Sequence, residues 1–181
     1  PYEWSPEGSG DHSGIAITAS DEASCAYTGS RFFALLNHNQ LSPLSTHGGY
    51  RHAVYRLLYQ GISEATYFMS KVQDCPQLTD DEKVMWRGEA RFLRAFYYTE
   101  LLKWNGPVIW LGDRQSDYSD PDVSKVDRSP WSTIVDWLCY EYDKAATELP
   151  DTRSSYEIGR ATKGSSLAMK ARLLMFNASP L

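Results

Sequence analysis

Glu89 and Glu100 are the residues of this sequence best suited to proton transfer, because both carboxylates fall inside an otherwise apolar arc of one predicted helix. Their separation of eleven residues sets their backbones roughly 16 Å apart at the helical rise. Carboxyl groups that work together on a glycosidic bond stand at most about 10 Å apart. The stronger reading is that each glutamate pairs with an arginine or a backbone donor of a neighbouring helix. Arg87, Arg91 and Arg94 edge the same face and suit such pairing. His12, His38, His47 and His52 are the only histidines, and the step of five between the last two matches no helical metal-ligand spacing. Cys25, Cys75 and Cys139 are odd in number and lack a CxxC pair, so they read as small buried or half-buried thiols. Ser165-Ser166 beside Lys163-Gly164 reads as a helix first turn, and Asn177-Ala178-Ser179 is a short glycosylation-type match followed by Pro180. The sequence contains no GxSxG, HExxH, phosphate loop or GxGxxG. It shows no enzyme, and no metal or cofactor is expected. Ca²⁺ is conceivable in the acidic stretch from Asp113 to Asp122, which nonetheless lacks EF-hand spacing and reads better as a solvated loop.

A second kind of chemistry is written in the rings. Aromatic residues make up 13% of the chain, with 6 Trp and 12 Tyr, and several fall outside the helical patterns. Phe33, Trp110 and Tyr118 are interleaved with Arg31, Asn37 and Asn39 and with the polar run after Gly112. Flat rings stack on sugar faces, and amides and guanidinium groups fix hydroxyls. These six are therefore the candidate ligand-binding residues, against the plainer alternative that the rings tuck loops onto helices.

Composition bounds the setting. The 181 residues carry 18 Lys+Arg and 23 Asp+Glu, a net charge of −5, which disfavours a nucleic-acid binder. With 42% hydrophobic and 23% charged residues the usage is that of an ordinary globular chain. The apolar runs are far shorter than the ~18–20 residues of a membrane span.

Four elements position these groups. Residues 1–48 form a loop-rich segment, and residues 49–181 a helical scaffold. A first helix runs from Gly49 to Val72 on the stripe Val54, Leu58, Ile62, Ala65, Met69 and is stopped by Pro76. The second opens on a capping box, Thr79-Asp80-Asp81-Glu82. Its main stripe is Trp86, Ala90, Leu93, Tyr97, Leu101 and Trp104, with Met85, Phe92 and Phe96 about 100° away. After a long connection over 107–129, Ser129 as N-cap and Pro130 start a third helix on Trp131, Val135, Leu138, Tyr142 and Ala145. The fourth begins after Thr162 and offers a small-residue face (Gly164, Ala168, Ala171, Ala178) suited to close helix contact. The expected fold is all-α, two antiparallel pairs of stacked hairpins.

The run Trp86-Arg87-Gly88-Glu89-Ala90-Arg91-Phe92-Leu93-Arg94-Ala95-Phe96-Tyr97, continued by Leu101 to Pro107, resembles the hallmark E-x-R-F-L-R-A-x-x-Y helix of the SusD/RagB family. Here the proline directly follows Gly106. Ser20-Asp21-Glu22 resembles the family's early S-D-E motif, and Tyr59-Gln60-Gly61-Ile62 its Y-x-G-I helix, with Thr66 where Asn is usual. Tyr140 to Pro150 resembles its D-L-x-x-A-x-x-x-L-P stretch, and Gly159-Arg160-Ala161-Thr162-Lys163-Gly164 its lead into an alanine-rich helix. The resemblance, four motifs in register from Ser20 to Pro180, implies a tetratricopeptide-like αα-superhelix. Asp21, Glu22, Glu89, Arg91 and Arg94 are then structural motif positions. It further implies a lipid-anchored protein of the Bacteroidetes outer membrane and cell surface. Such a protein captures oligosaccharides or peptides for a SusC-like TonB-dependent β-barrel transporter. Its lipid-bearing cysteine and the C-terminal half of the fold are expected outside this chain. Two other readings compete: an all-helical glycoside hydrolase, and an intracellular helical-repeat scaffold for protein interaction.

Overall fold

The structure, a computed structural model, describes residues 49–115 and 125–179, with side chains from Val54 onward. The chain divides into two compact units, Pro1–Tyr55 and Arg56–Leu181, and the account below concerns the second. The described residues form four helices and no strand: α1 (Gly49–Lys71), α2 (Asp80–Asn105), α3 (Trp131–Glu148) and α4 (Lys163–Asn177). Short 3₁₀ turns sit at Val72–Asp74 and Ser155–Glu157.

Each helix packs antiparallel to the one before it. Phe68 meets Trp86 while Tyr59 meets Tyr98. Arg87 meets Glu148 while Tyr98 meets Trp137. Trp131 meets Phe176 while Ser166 bonds the Tyr142 carbonyl. The result is the stacked-hairpin array expected from the sequence. Its core is Tyr98, Leu101, Ile134, Leu138 and Tyr142, all fully buried. Burying a Leu or Ile side chain of this kind contributes about 2 kcal/mol.

The α2–α3 approach is set by Gly88. A Cβ at that position would lie 2.7 Å from Glu148 Cβ and 3.2 Å from its backbone carbon. Gly in a helix interior costs about 1 kcal/mol relative to Ala; here its absent side chain lets two backbones meet.

Three sequence expectations are corrected by the packing. The deepest face of α2 runs on the far side of the helix from the arc enclosed by the two predicted stripes, through Arg94, Ala95, Tyr98 and Leu102, while Leu93 and Trp104 lie toward solvent. The cause is that Arg94, ion-paired with Glu141 and Asp113, occupies a position the hydrophobic pattern reserves for apolar residues. The N-cap of α3 is Pro130, which has no side-chain acceptor and whose carbonyl takes the Ile134 N–H at 3.3 Å; Ser129 stands one residue outside, its N–H donating to the Val108 carbonyl at 2.9 Å. The small-residue face of α4 points outward: Ser166 and Leu173 are its buried residues, and a Cβ on Gly164 would meet only the Thr162 hydroxyl. Ser166 does the close packing instead, donating to the Tyr142 carbonyl at 2.7 Å.

Candidate functional site

Arg87, Arg91 and Arg94 recur at steps of four and three on α2, and Glu141 and Glu148 at a step of seven on α3. Both sets therefore line one seam. Arg87 reaches Glu148 at 3.0 Å, and Arg91 bridges Glu148 at 3.2 Å and Glu141 at 2.8 Å. Arg94 holds the other Glu141 oxygen at 2.6 Å, with side chains only 1% and 3% exposed. Burial pulls the Arg91 guanidinium down, but Glu141 and Glu148 more than reverse this, so the proton is held more tightly than usual. Such a buried ladder adds little net stability over an apolar seam, because desolvation offsets attraction. Its geometry instead admits one register between α2 and α3.

From the same spot Arg94 reaches outward to the chain leaving α2. Its Nη1 donates to Asp113 Oδ1 at 2.8 Å, to the Gly112 carbonyl at 3.2 Å and to Thr66 Oγ1 on α1 at 3.4 Å. The guanidinium also stands 5.2 Å from the Trp137 ring centroid. The segment 107–115 is strapped down along its length. The Tyr59 hydroxyl donates to the Ile109 carbonyl at 2.8 Å, and the Leu111 N–H donates to the Tyr98 hydroxyl at 3.0 Å. Gln115 donates to the Ser70 hydroxyl at 2.5 Å. Gly112 takes a left-handed turn, φ 58°, beside Trp110, where an added Cβ would lie 3.4 Å from the ring. Helices α1, α2 and α3 thus carry a rigid shelf whose outer edge is Asp113, Arg114 and Gln115, all exposed.

The six candidate ligand residues divide by location. Trp110 is on the shelf, half-buried, its ring 5.7 Å from that of Trp137. Arg31, Phe33, Asn37, Asn39 and Tyr118 lie outside the described residues, as do Asp21, Glu22 and the side chain of His52. Of the motif residues, Arg91 and Arg94 form the seam. Glu89 sits elsewhere, bound by Arg153 and by both nitrogens of an Arg160 fork at 2.6 and 3.0 Å. Glu100 is paired one turn away with Lys103 at 3.2 Å. Both glutamates are ion-paired, but neither by a neighbouring helix as expected: Glu89 is held from the loop after α3 and Glu100 by a lysine of its own helix. Glu141 and Trp137 are the residues that sequence reasoning misses, while Asp113 enters it only as one of the polar residues after Gly112. The step of seven between Glu141 and Glu148, matching Arg87 to Arg94, is the signal that could have found the first. Among the described residues no three of His, Cys, Asp and Glu cluster to hold a metal.

A SusD-like family model, described as starch-binding and associating with the outer membrane, matches residues 16–175. The chain belongs to the SusD-like family. A SusD-like protein of Bacteroides fragilis shares 28% identity and a TM-score of 0.68, over 79% of this chain and 27% of that one. A SusD superfamily protein of Parabacteroides distasonis has a TM-score of 0.70 at 21% identity, over 86% of this chain and 32% of that one. A laminarin-binding SusD-like protein has a TM-score of 0.60 at 24% identity, over 66% and 25%. At these identities the last two speak to the fold alone. This SusD-like chain spans about a quarter to a third of the length of the three structures. No curated protein is similar to it at a significant level. The arginines of the hallmark helix have a physical role here: they lock α2 to α3 and pin the exit segment.

Proposed function

We propose that this SusD-like protein is a lipid-anchored surface protein that captures glycans and passes them to a SusC-like TonB-dependent outer-membrane transporter, without itself performing catalysis. The observation that carries the reading is the shelf over 107–115: a ring-bearing, polar-edged segment fixed across three helices, in a family described as starch-binding. A preorganised shelf suits capture because little ordering entropy is lost when a flexible oligosaccharide docks. Glu89 and Glu100 are each engaged by basic side chains, which supports binding over hydrolysis. No helix among the described residues is long and apolar enough to cross a membrane, and the proposed attachment is the lipid.

The test is to tag the native gene product in its own cells, solubilise the outer membrane mildly and purify. A large β-barrel at near-equal stoichiometry, together with binding of starch or laminarin, is the expected result. Recovery from the soluble fraction without a barrel removes the transporter role. Retention of the barrel with binding of peptides but of neither glycan replaces the ligand class.

A further inference from the structure

Asp113 combines high exposure with a fixed orientation. Its side chain is 90% exposed, yet its Oδ1 accepts a 2.8 Å bond from an Arg94 side chain that is 1% exposed. Ordinary surface carboxylates rotate freely, and a ligand that binds one must first order it. Here the rotamer is held from beneath, and Oδ2 has no partner among the described residues. Three positions earlier stands the Trp110 ring, beside Trp137 and the turn at Gly112. The buried side-chain nitrogens without a hydrogen-bond partner among the described residues, Arg94 Nε and Trp110 Nε1, belong to this same corner.

We propose that the corner of Trp110, Gly112 and Asp113 is a subsite for one neutral sugar unit. Asp113 Oδ2, an acceptor with two lone pairs, takes hydrogen bonds from a pair of adjacent ring hydroxyls. The outer part of the Trp110 ring meets the sugar's C–H face. Arg94 touches no ligand and acts as the positioning residue of the carboxylate. Uronate sugars are disfavoured because they bring a second carboxylate to Asp113. This subsite rests on the glycan-binding reading above.

The experiment is calorimetric titration of the purified protein with laminarin and with amylopectin, wild type beside Asp113→Asn and Asp113→Ala, with a melting curve for each. Asparagine keeps an oxygen for Arg94 but replaces Oδ2 with a donor. Both variants are expected to bind about tenfold or more weakly, the loss of a charge-assisted hydrogen bond, with Asp113→Asn melting as the wild type does. Equal binding by wild type and Asp113→Asn overturns the subsite while leaving glycan capture intact. A loss of binding that only follows a large fall in melting temperature assigns Asp113 a structural role and overturns it too. Wild type that binds neither polymer removes the glycan reading itself, and the subsite with it.

Discussion

Helix α3 uses its two long sides in opposite ways. Toward α2 it presents Glu141 and Glu148, and the seam closes on three arginines around buried carboxylates. Toward α4 it presents the Tyr142 carbonyl, and the seam closes on one small hydroxyl, Ser166, with Leu173 fully buried beside it. Charged contacts at this second seam are peripheral, such as Lys170 with the half-exposed Asp143. The difference separates two tasks. A neutral seam gains from every apolar atom it buries and tolerates small shifts along the helix axis. A ladder of buried ion pairs tolerates none, since a slip of one turn leaves charges desolvated and alone. The seam that carries the shelf is the one built to be intolerant.

The sharpest way to break this comparison is to remove one charge from the ladder. Glu141→Ala leaves Arg94 and Arg91 buried beside an empty position and is expected to cost about 3–5 kcal/mol in urea unfolding. Ser166→Ala removes the corresponding contact of the neutral seam and is expected to cost only about 1 kcal/mol. Arg160→Ala, which cuts an exposed pair with Glu89, is expected to cost less still, about 0.5 kcal/mol. Similar losses for Glu141→Ala and Ser166→Ala would show that the two seams do not differ as described.

Much of this array is legible in the sequence alone. Thr79, Glu82, Pro107, Pro130 and Pro150 punctuate the helices for local reasons of capping and lost N–H donors, and local reasons survive folding. The α3 stripe through Val135, Leu138 and Tyr142 is legible too, because its apolar residues do face inward. The inner face of α2 is not, since periodicity treats a cation as an outward residue and cannot see that Glu141 lies opposite Arg94. The α4 face misleads for the converse reason. Small apolar residues read as a contact surface, but a buried Ser166 with a backbone acceptor brings α4 in by its other side. On the shelf, Trp110 stands out as a ring among polar residues. Asp113 is only one acid in an acidic run, because its fixed orientation depends on Arg94, nineteen positions earlier.

Tyr142 touches both seams, which allows a finer comparison. Its hydroxyl shares a 2.8 Å hydrogen bond with Thr99 on α2, while its carbonyl takes the Ser166 bond from α4. Burial pushes its phenol well above the usual 10, and the Thr99 bond offsets only part of this. With the folded group raised, its stabilising contribution is complete below the unfolded value near 10 and is lost as the pH climbs beyond it. Tyr142→Phe is expected to cost about 1 kcal/mol at neutral pH. It should also flatten the fall of urea stability above about pH 10, leaving a smaller slope from Tyr97, which burial also raises. An unchanged alkaline slope would place the pH sensitivity elsewhere in the array.

The smallest expected effect contrasts the starts of α2 and α4, which share one device in two chemistries. Thr79 accepts from the Glu82 N–H at 3.3 Å, and the Glu82 carboxylate accepts from the Thr79 N–H at 2.9 Å. At α4, Thr162 accepts from the Ser165 N–H at 3.2 Å, and the Ser165 hydroxyl accepts from the Thr162 N–H at 2.8 Å. The first box is ionisable and the second is not. The Thr79 backbone and hydroxyl bonds hold the Glu82 carboxyl below its ordinary 4.5. A depressed folded value means that the cap's contribution is present above about pH 4.5 and is lost as the pH falls through the folded value. Backbone Cα shifts of Asp81 and Glu82 should therefore move toward coil values on acidification while those of Gly164 and Ser165 stay helical. Glu82→Gln should reduce the response without abolishing it, because the charges of Asp80 and Asp81 also favour a helix N-terminus. Fraying of both first turns together would mean that acid acts on the whole array rather than on one cap.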